Sequence, residues 1–182
     1  PSALPRPAAD QRRPKFWTLM FSLDELNRVM RMDYPTNRII RWQPAHLYMC
    51  QLNAFDEANL KMFGDFHEYL ETYAATGHAF TAMVEDDVMA MFGVWQLWPG
   101  VCEAWLIPNA KIKRKTVAMH RGSLAFFEYA ARQMQTKRLQ FTVHTRNVRA
   151  DRWASRCYFK KEGLLKHYGP DGADYWMYAR IF

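Results

Sequence analysis

Glycine is missing from the one place where a phosphate-binding loop would need it. The chain has 182 residues and 8 glycines, and none lies between Gly100 and Gly122. That stretch nevertheless reads as strand, basic turn and helix, an order in which free N–H groups and the helix dipole converge on an anion. Without glycine the backbone cannot approach a phosphate as a Gly-rich loop does. Cysteine is scarce as well. Cys50, Cys102 and Cys157 are odd in number, widely spaced and without a C-x-x-C, which excludes a disulfide framework and a Cys-based structural zinc site. They read as three buried or half-buried thiols. The histidines show no H-x-x-x-H or H-E-x-x-H spacing, so no metal centre is expected. No apolar run approaches the ~20 residues of a membrane span. The opening PSALPRPAADQRRPKF lacks the apolar core and cleavage pattern of a signal peptide. The expectation is a protein made in a cytoplasm, with no membrane partner.

Acidic residues run short in the second half. Residues 1–91 hold 9 Lys/Arg against 12 Asp/Glu, whereas residues 92–182 hold 16 against 6. Such asymmetry suits nucleic acid, a phosphorylated cofactor or an acidic protein partner, and charge alone does not separate them. Nearly half the residues are hydrophobic, enough for a sizeable core in one domain.

Residues 1–15 read as an extended arm rich in proline and arginine. Ser22 and Glu25 fit a capping box opening a short helix with Leu23, Leu26, Val29 and Met30 on one face. That helix either packs on its own domain or anchors the protein to a neighbour. Residues 38–42 suggest a strand and 44–52 a short helix. Leu60, Phe63, Phe66, Leu70 and Tyr73 suggest one helix over 55–73, ended by Gly77. Three strands follow as a meander over 79–107, turning at Glu85-Asp86-Asp87 and at Trp98-Pro99-Gly100. Thr116 to Met134 is the longest helix pattern and 139–143 a strand. Residues 149–161 read as a helix ending at Gly163, and 164–168 with 175–182 as a final hairpin about a Pro-Asp-Gly turn.

This order, β–α–α–β–β–β–α–β–α–β–β, resembles the GNAT (Gcn5-related N-acetyltransferase) fold over residues 38–182, with an N-terminal arm and short helix at 1–37. The resemblance implies an α/β architecture, with a mixed, mostly antiparallel sheet flanked by helices. In that family a Q/R-x-x-G-x-G/A loop at the start of the long helix wraps the pyrophosphate of acetyl-CoA. Ala110-Lys111-Ile112-Lys113-Arg114-Lys115 stands there, without either glycine. The next helix of the family carries Asn, Ala and a Tyr four residues before Gly-Phe. Tyr158 to Leu164 resembles it, with Gly163-Leu164 as that pair, Phe159 in the tyrosine's place and Tyr158 one place off. Glu103 corresponds to a glutamate that the family often has on the strand before the loop. The K-x-K-R-K turn, the glycine-poor loop, Gly163 and Asp171-Gly172 are similar to acetyltransferase-like internal or structural virion proteins of T7-like podophages.

Two functions follow from the resemblance. The first is a structural or internal virion component. It would be made in the host cytoplasm, need no cofactor, and dock through its arm and basic face on portal, core or neck proteins. The alternative is an acetyl-CoA-dependent N-acetyltransferase, with Glu103 as base, Tyr158 as acid, and Lys111, Lys113, Arg114, Lys115 and Thr116 holding the cofactor. Each residue also has a plainer reading. Glu103 can be an ion-paired strand carboxylate, Tyr158 an aromatic packed on the sheet, and the basic turn a solvated one. Arg146, Arg149, Arg152 and Arg156, interleaved with Trp153, Tyr158 and Phe159, also admit a weak nucleic-acid contact.

Overall fold

A computed structural model describes residues 21–62, 66–76 and 78–182 of the chain. The expected arm at 1–15 lies outside the described residues. Seven strands form one sheet: β1 (Asn37–Arg41), β2 (His78–Val84), β3 (Asp87–Trp98), β4 (Val101–Pro108), β5 (Arg138–His144), β6 (Lys160–Leu165) and β7 (Tyr175–Ile181). Their spatial order is β1-β2-β3-β4-β5-β7-β6. Every neighbouring pair is antiparallel except β4 and β5. The helices are α1 (Leu23–Val29), α2 (Ala45–Met49), α3 (Ala54–Lys61), α4 (Phe66–Thr76), α5 (Thr116–Gln133) and α6 (Val148–Arg156). The expected α/β fold, a mixed and mostly antiparallel sheet flanked by helices, is what the chain adopts. Among the described residues no helix is long and apolar enough to cross a membrane.

Strand alternation divides the core in two. On one face Phe80, Phe92, Cys102, Leu139, Phe141 and Tyr178 join the inward residues of α1, α5 and α6. On the other, Met83, Met91, Ile107 and Trp105 pack with Leu70 of α4 and Leu47 of α2. Gly93 serves this second face. A Cβ there would sit 2.6 Å from Trp105 Nε1, so its absence lets the indole lie across β3.

The helix α1 belongs to the first core. Ser22 Oγ accepts the N–H of Glu25 at 3.4 Å, as the capping box predicts, and Leu26 is fully buried. Asn27 fastens the helix to β1: its amide donates to the Ile39 carbonyl at 3.0 Å, and its Oδ1 accepts the Ile39 N–H at 2.6 Å. Phe21 meets Tyr129 of α5 edge-on at 5.3 Å, and the Tyr129 hydroxyl donates to Glu25. Of the two readings of this helix, packing on its own domain is the observed one.

Two elements differ from the sequence expectation. The single helix over 55–73 is two helices, α3 and α4, with residues 63–65 outside the described set. The helix expected to run to Gly163 ends at Arg156, and Lys160–Leu165 is instead the edge strand β6. A left-handed residue at position 158 stops that helix.

Candidate functional site

The strands β4 and β5 touch only at their beginnings. Val101, Cys102 and Glu103 pair with Arg138, Leu139 and Gln140. Among the described residues, from Ala104 onward β4 is paired only with β3, and from Phe141 onward β5 is paired only with β7. The sheet therefore opens into a V whose vertex is Glu103–Gln140 and whose mouth lies between Pro108 and His144. Each strand keeps a ladder on its outer side, so among the described residues the opening leaves the inner edges without strand partners.

Two helices begin at the mouth. At the end of β5, Asn147 Oδ1 caps α6 by accepting the Ala150 N–H at 3.1 Å. At the end of β4, Asn109 is almost wholly buried. Its amide donates to the Val88 carbonyl at 2.7 Å, and its Oδ1 accepts the Lys111 N–H at 2.9 Å. The basic turn that follows is no open loop. Ala110–Arg114 winds into a 3₁₀ helix. Its N–H groups are largely consumed: Ala110 donates to Gln51, Ile112 to Asn109, and Lys115 to Ile112.

The helix α5 then starts without a side-chain cap. Its first α-helical bond is Met119 N–H to the Lys115 carbonyl, 2.9 Å. The N–H groups of Thr116, Val117 and Ala118 thus lie in an exposed first turn, where the helix dipole favours an anion. Lys113, Arg114 and Lys115 are exposed beside them and have no ion pair among the described residues. Lys111 differs, its Nζ being 2.6 Å from Asp87 Oδ2.

The expected base and acid are not brought together. Glu103 is half-buried at the vertex, aligned with Trp95 on β3 and Gln140 on β5. It therefore faces the α3 and α4 side of the sheet. Tyr158 belongs to the other side, where its ring lies over Arg180 at 5.4 Å, and Arg180 reaches Glu128 of α5. Tyr158 sits just beyond the far end of α6 with φ 67°. Its N–H donates to Ser155 and that of Phe159 to Ala154, both at 3.1 Å. This is the Schellman closure, whose left-handed position is usually glycine. The closure places the left-handed residue at Tyr158, five positions before Gly163. Four residues before Tyr158 stands Ala154, fully buried.

Sequence reading also missed how α3 reaches the mouth. His144, buried at the end of β5, meets Phe55 of α3 edge-on at 5.2 Å. Its Nδ1 accepts the Arg146 N–H at 3.0 Å. Burial, and then the Arg146 charge, lower its pKa, which favours the neutral ring. Next to it the Tyr175 hydroxyl donates to Asn59 at 3.0 Å. The pairing of Tyr175 with His144 across β7 and β5 carries no local sequence signal. The three thiols are buried and free. Burial pushes Cys50 up to about 11 and Cys157 up to about 12, which removes both as nucleophiles near neutral pH.

No protein-family model matches the chain, and no curated protein matches it. Solved structures do. A GNAT-family acetyltransferase from Bacillus anthracis superimposes with a TM-score of 0.64 at 16% identity, over 82% of this chain and 97% of that one. A ribosomal L7/L12 α-N-protein acetyltransferase, in complex with coenzyme A, gives 0.59 at 17% identity, over 81% and 95%. The microcin C7 self-immunity acetyltransferase, in complex with acetyl-CoA and AMP, gives 0.61 at 10% identity, over 81% and 93%. The chain has the fold of GNAT acetyltransferases.

Proposed function

We propose that the protein is an acetyl-CoA-dependent N-acetyltransferase. One observation carries this reading: β4 and β5 part after Glu103 and Gln140, and the uncapped, cation-flanked start of α5 stands at the mouth of the parting. The shared fold supports the acetyltransferase alternative better than the virion component that the sequence suggested.

The residues present fit coenzyme A in a particular way. Phosphates would be held by the first-turn N–H groups of Thr116, Val117 and Ala118 and by the side chains of Lys113, Arg114 and Lys115. The backbone of the turn itself is committed to 3₁₀ bonds. Side-chain cations replace the missing glycines, because charge-assisted bonds from long side chains do not need close backbone approach. When bound, the thioester supplies an activated acetyl group. Glu103, at the vertex, takes the proton of the acceptor amine from the α3 and α4 side. The unpaired inner edge of β4 beyond Glu103 offers strand N–H groups to the carbonyl oxygen. Tyr158 takes no part.

Calorimetry with acetyl-CoA and with free CoA tests the reading, alongside thiol release in the presence of amine acceptors. Saturable micromolar binding that is lost in Lys113→Glu/Arg114→Glu is the expected result. Absence of binding at millimolar ligand overturns it.

A further inference from the structure

We propose that the outer face of α6, together with the turn that follows it, binds single-stranded nucleic acid. The inference does not depend on acetyl transfer: α6 starts at the mouth of the parting and runs away from it.

Arg149, Arg152 and Arg156 are all exposed. At about 100° per residue they fall in one stripe on the side of α6 opposite the buried Ala154, spanning about 10 Å. Spacings of three and four residues bring like charges together, which is unfavourable on a helix surface. No carboxylate relieves them at ion-pair distance among the described residues. Arg149 feels the charge of Asp56, and Arg152 that of Asp151. Asp151 is itself held by Lys161, at 2.7 Å, and by the Tyr178 hydroxyl. The three guanidinium groups are left to an outside anion.

An exposed aromatic ring follows the stripe in the chain, just beyond the end of α6. Tyr158 follows Arg156 by two residues and is 66% exposed. Its ring is backed by Arg180, which also lies 4.5 Å from the Phe182 ring centre and is fixed by Glu128. A tyrosine thus occupies a left-handed position that suits glycine, with a large exposed ring supported by a cation. Arginines in a row, leading to a supported exposed ring, match a sugar–phosphate strand whose bases can stack. A duplex hides the faces of its bases. An acidic protein would meet the arginines but has no use for the ring.

The test uses the full chain and a fluorescein-labelled oligothymidylate of about 20 nucleotides, followed by anisotropy. Three phosphate contacts give a log–log salt slope of about −2, hence about twentyfold weaker binding between about 50 and about 200 mM salt. Arg149→Gln/Arg152→Gln/Arg156→Gln should abolish measurable binding. Tyr158→Gly, which suits the backbone and preserves the fold, should weaken it about tenfold. An abasic oligomer of equal length should bind the wild type as weakly as the thymidylate binds Tyr158→Gly. Three results overturn the proposal. They are absence of binding at the lower salt, equal binding of abasic oligomer and polyglutamate (which marks a surface for acidic protein), and tighter binding of duplex than of single strand.

Discussion

Lys111 Nζ and Asp87 Oδ2 lie 2.6 Å apart, tying the 3₁₀ turn to the start of β3. Both side chains are about half exposed, so the pair adds little stability. Its effect is to withhold one of four clustered cations from the mouth of the parting. Lys111→Ala should therefore change acetyl-CoA affinity less than about twofold, within the small range of an exposed pair. Lys113→Ala/Arg114→Ala should weaken it at least about tenfold, as loss of charge-assisted bonds does. Calorimetric titration of each variant decides between them.

Glu103 is assigned the proton-accepting role, which general-base catalysis values at about 10²–10⁴ in rate. Glu103→Gln should lower kcat by at least about 100-fold with KM for acetyl-CoA nearly unchanged. A loss confined to KM would remove Glu103 from the chemistry. Steady-state kinetics against both substrates makes the distinction.

Tyr158 carries φ 67°, a conformation that costs a non-glycine residue about 1–2 kcal/mol. Replacement by glycine removes that cost and forfeits an exposed ring–guanidinium contact of about 0.5–1 kcal/mol. Tyr158→Gly should raise Tm by about 1–4 °C in a chain of this size, and Tyr158→Val should lower it. Calorimetric melting of the pair reads the sign directly.

His78 is buried with Nε2 unpartnered among the described residues, its ring 4.2 Å from Phe21. Burial first, and then the Arg41 charge, lower its pKa to about 4. The unfolded chain binds a proton near pH 6.5 that the folded chain refuses until about pH 4. The neutral ring's contribution, on the order of 3 kcal/mol, is therefore complete above pH 6.5 and is lost as pH falls toward 4. His46 and His144 are lowered in the same direction. Urea midpoints should drop between pH 7 and pH 4.5, and less steeply in His78→Phe.

The sheet and the long helix could be read from the chain because their signals are local. The alternation in Val101–Pro108 and the apolar face of Thr116–Gln133 are periodic patterns; Gly100 marks the start of that strand by residue type, as Ser22 marks that of α1. The failures have a common cause. The end of α6 demanded a left-handed residue, and the chain placed Tyr158 there instead of glycine, so a reading tuned to glycine ran on to Gly163. The resemblance pairs Glu103 with Tyr158, the latter one place off the family's tyrosine. Which sheet face each takes depends on strand parity and on where α6 stops. The 3₁₀ winding of Ala110–Arg114 did leave one trace, Asn109 directly after Pro108, a residue suited to capping.

Among the described residues, every rung that joins β1–β4 to β5–β7 within the sheet runs through Val101, Cys102 and Glu103. The domain is thus two antiparallel plates stitched by three residue pairs, with α5 as the covalent strap from one plate to the other. Shear between the plates concentrates at that stitch, while the four-stranded and three-stranded ladders on either side stay whole. Amide protons of those three pairs should exchange sooner than their depth in the sheet suggests, and their protection would record how wide the mouth stands.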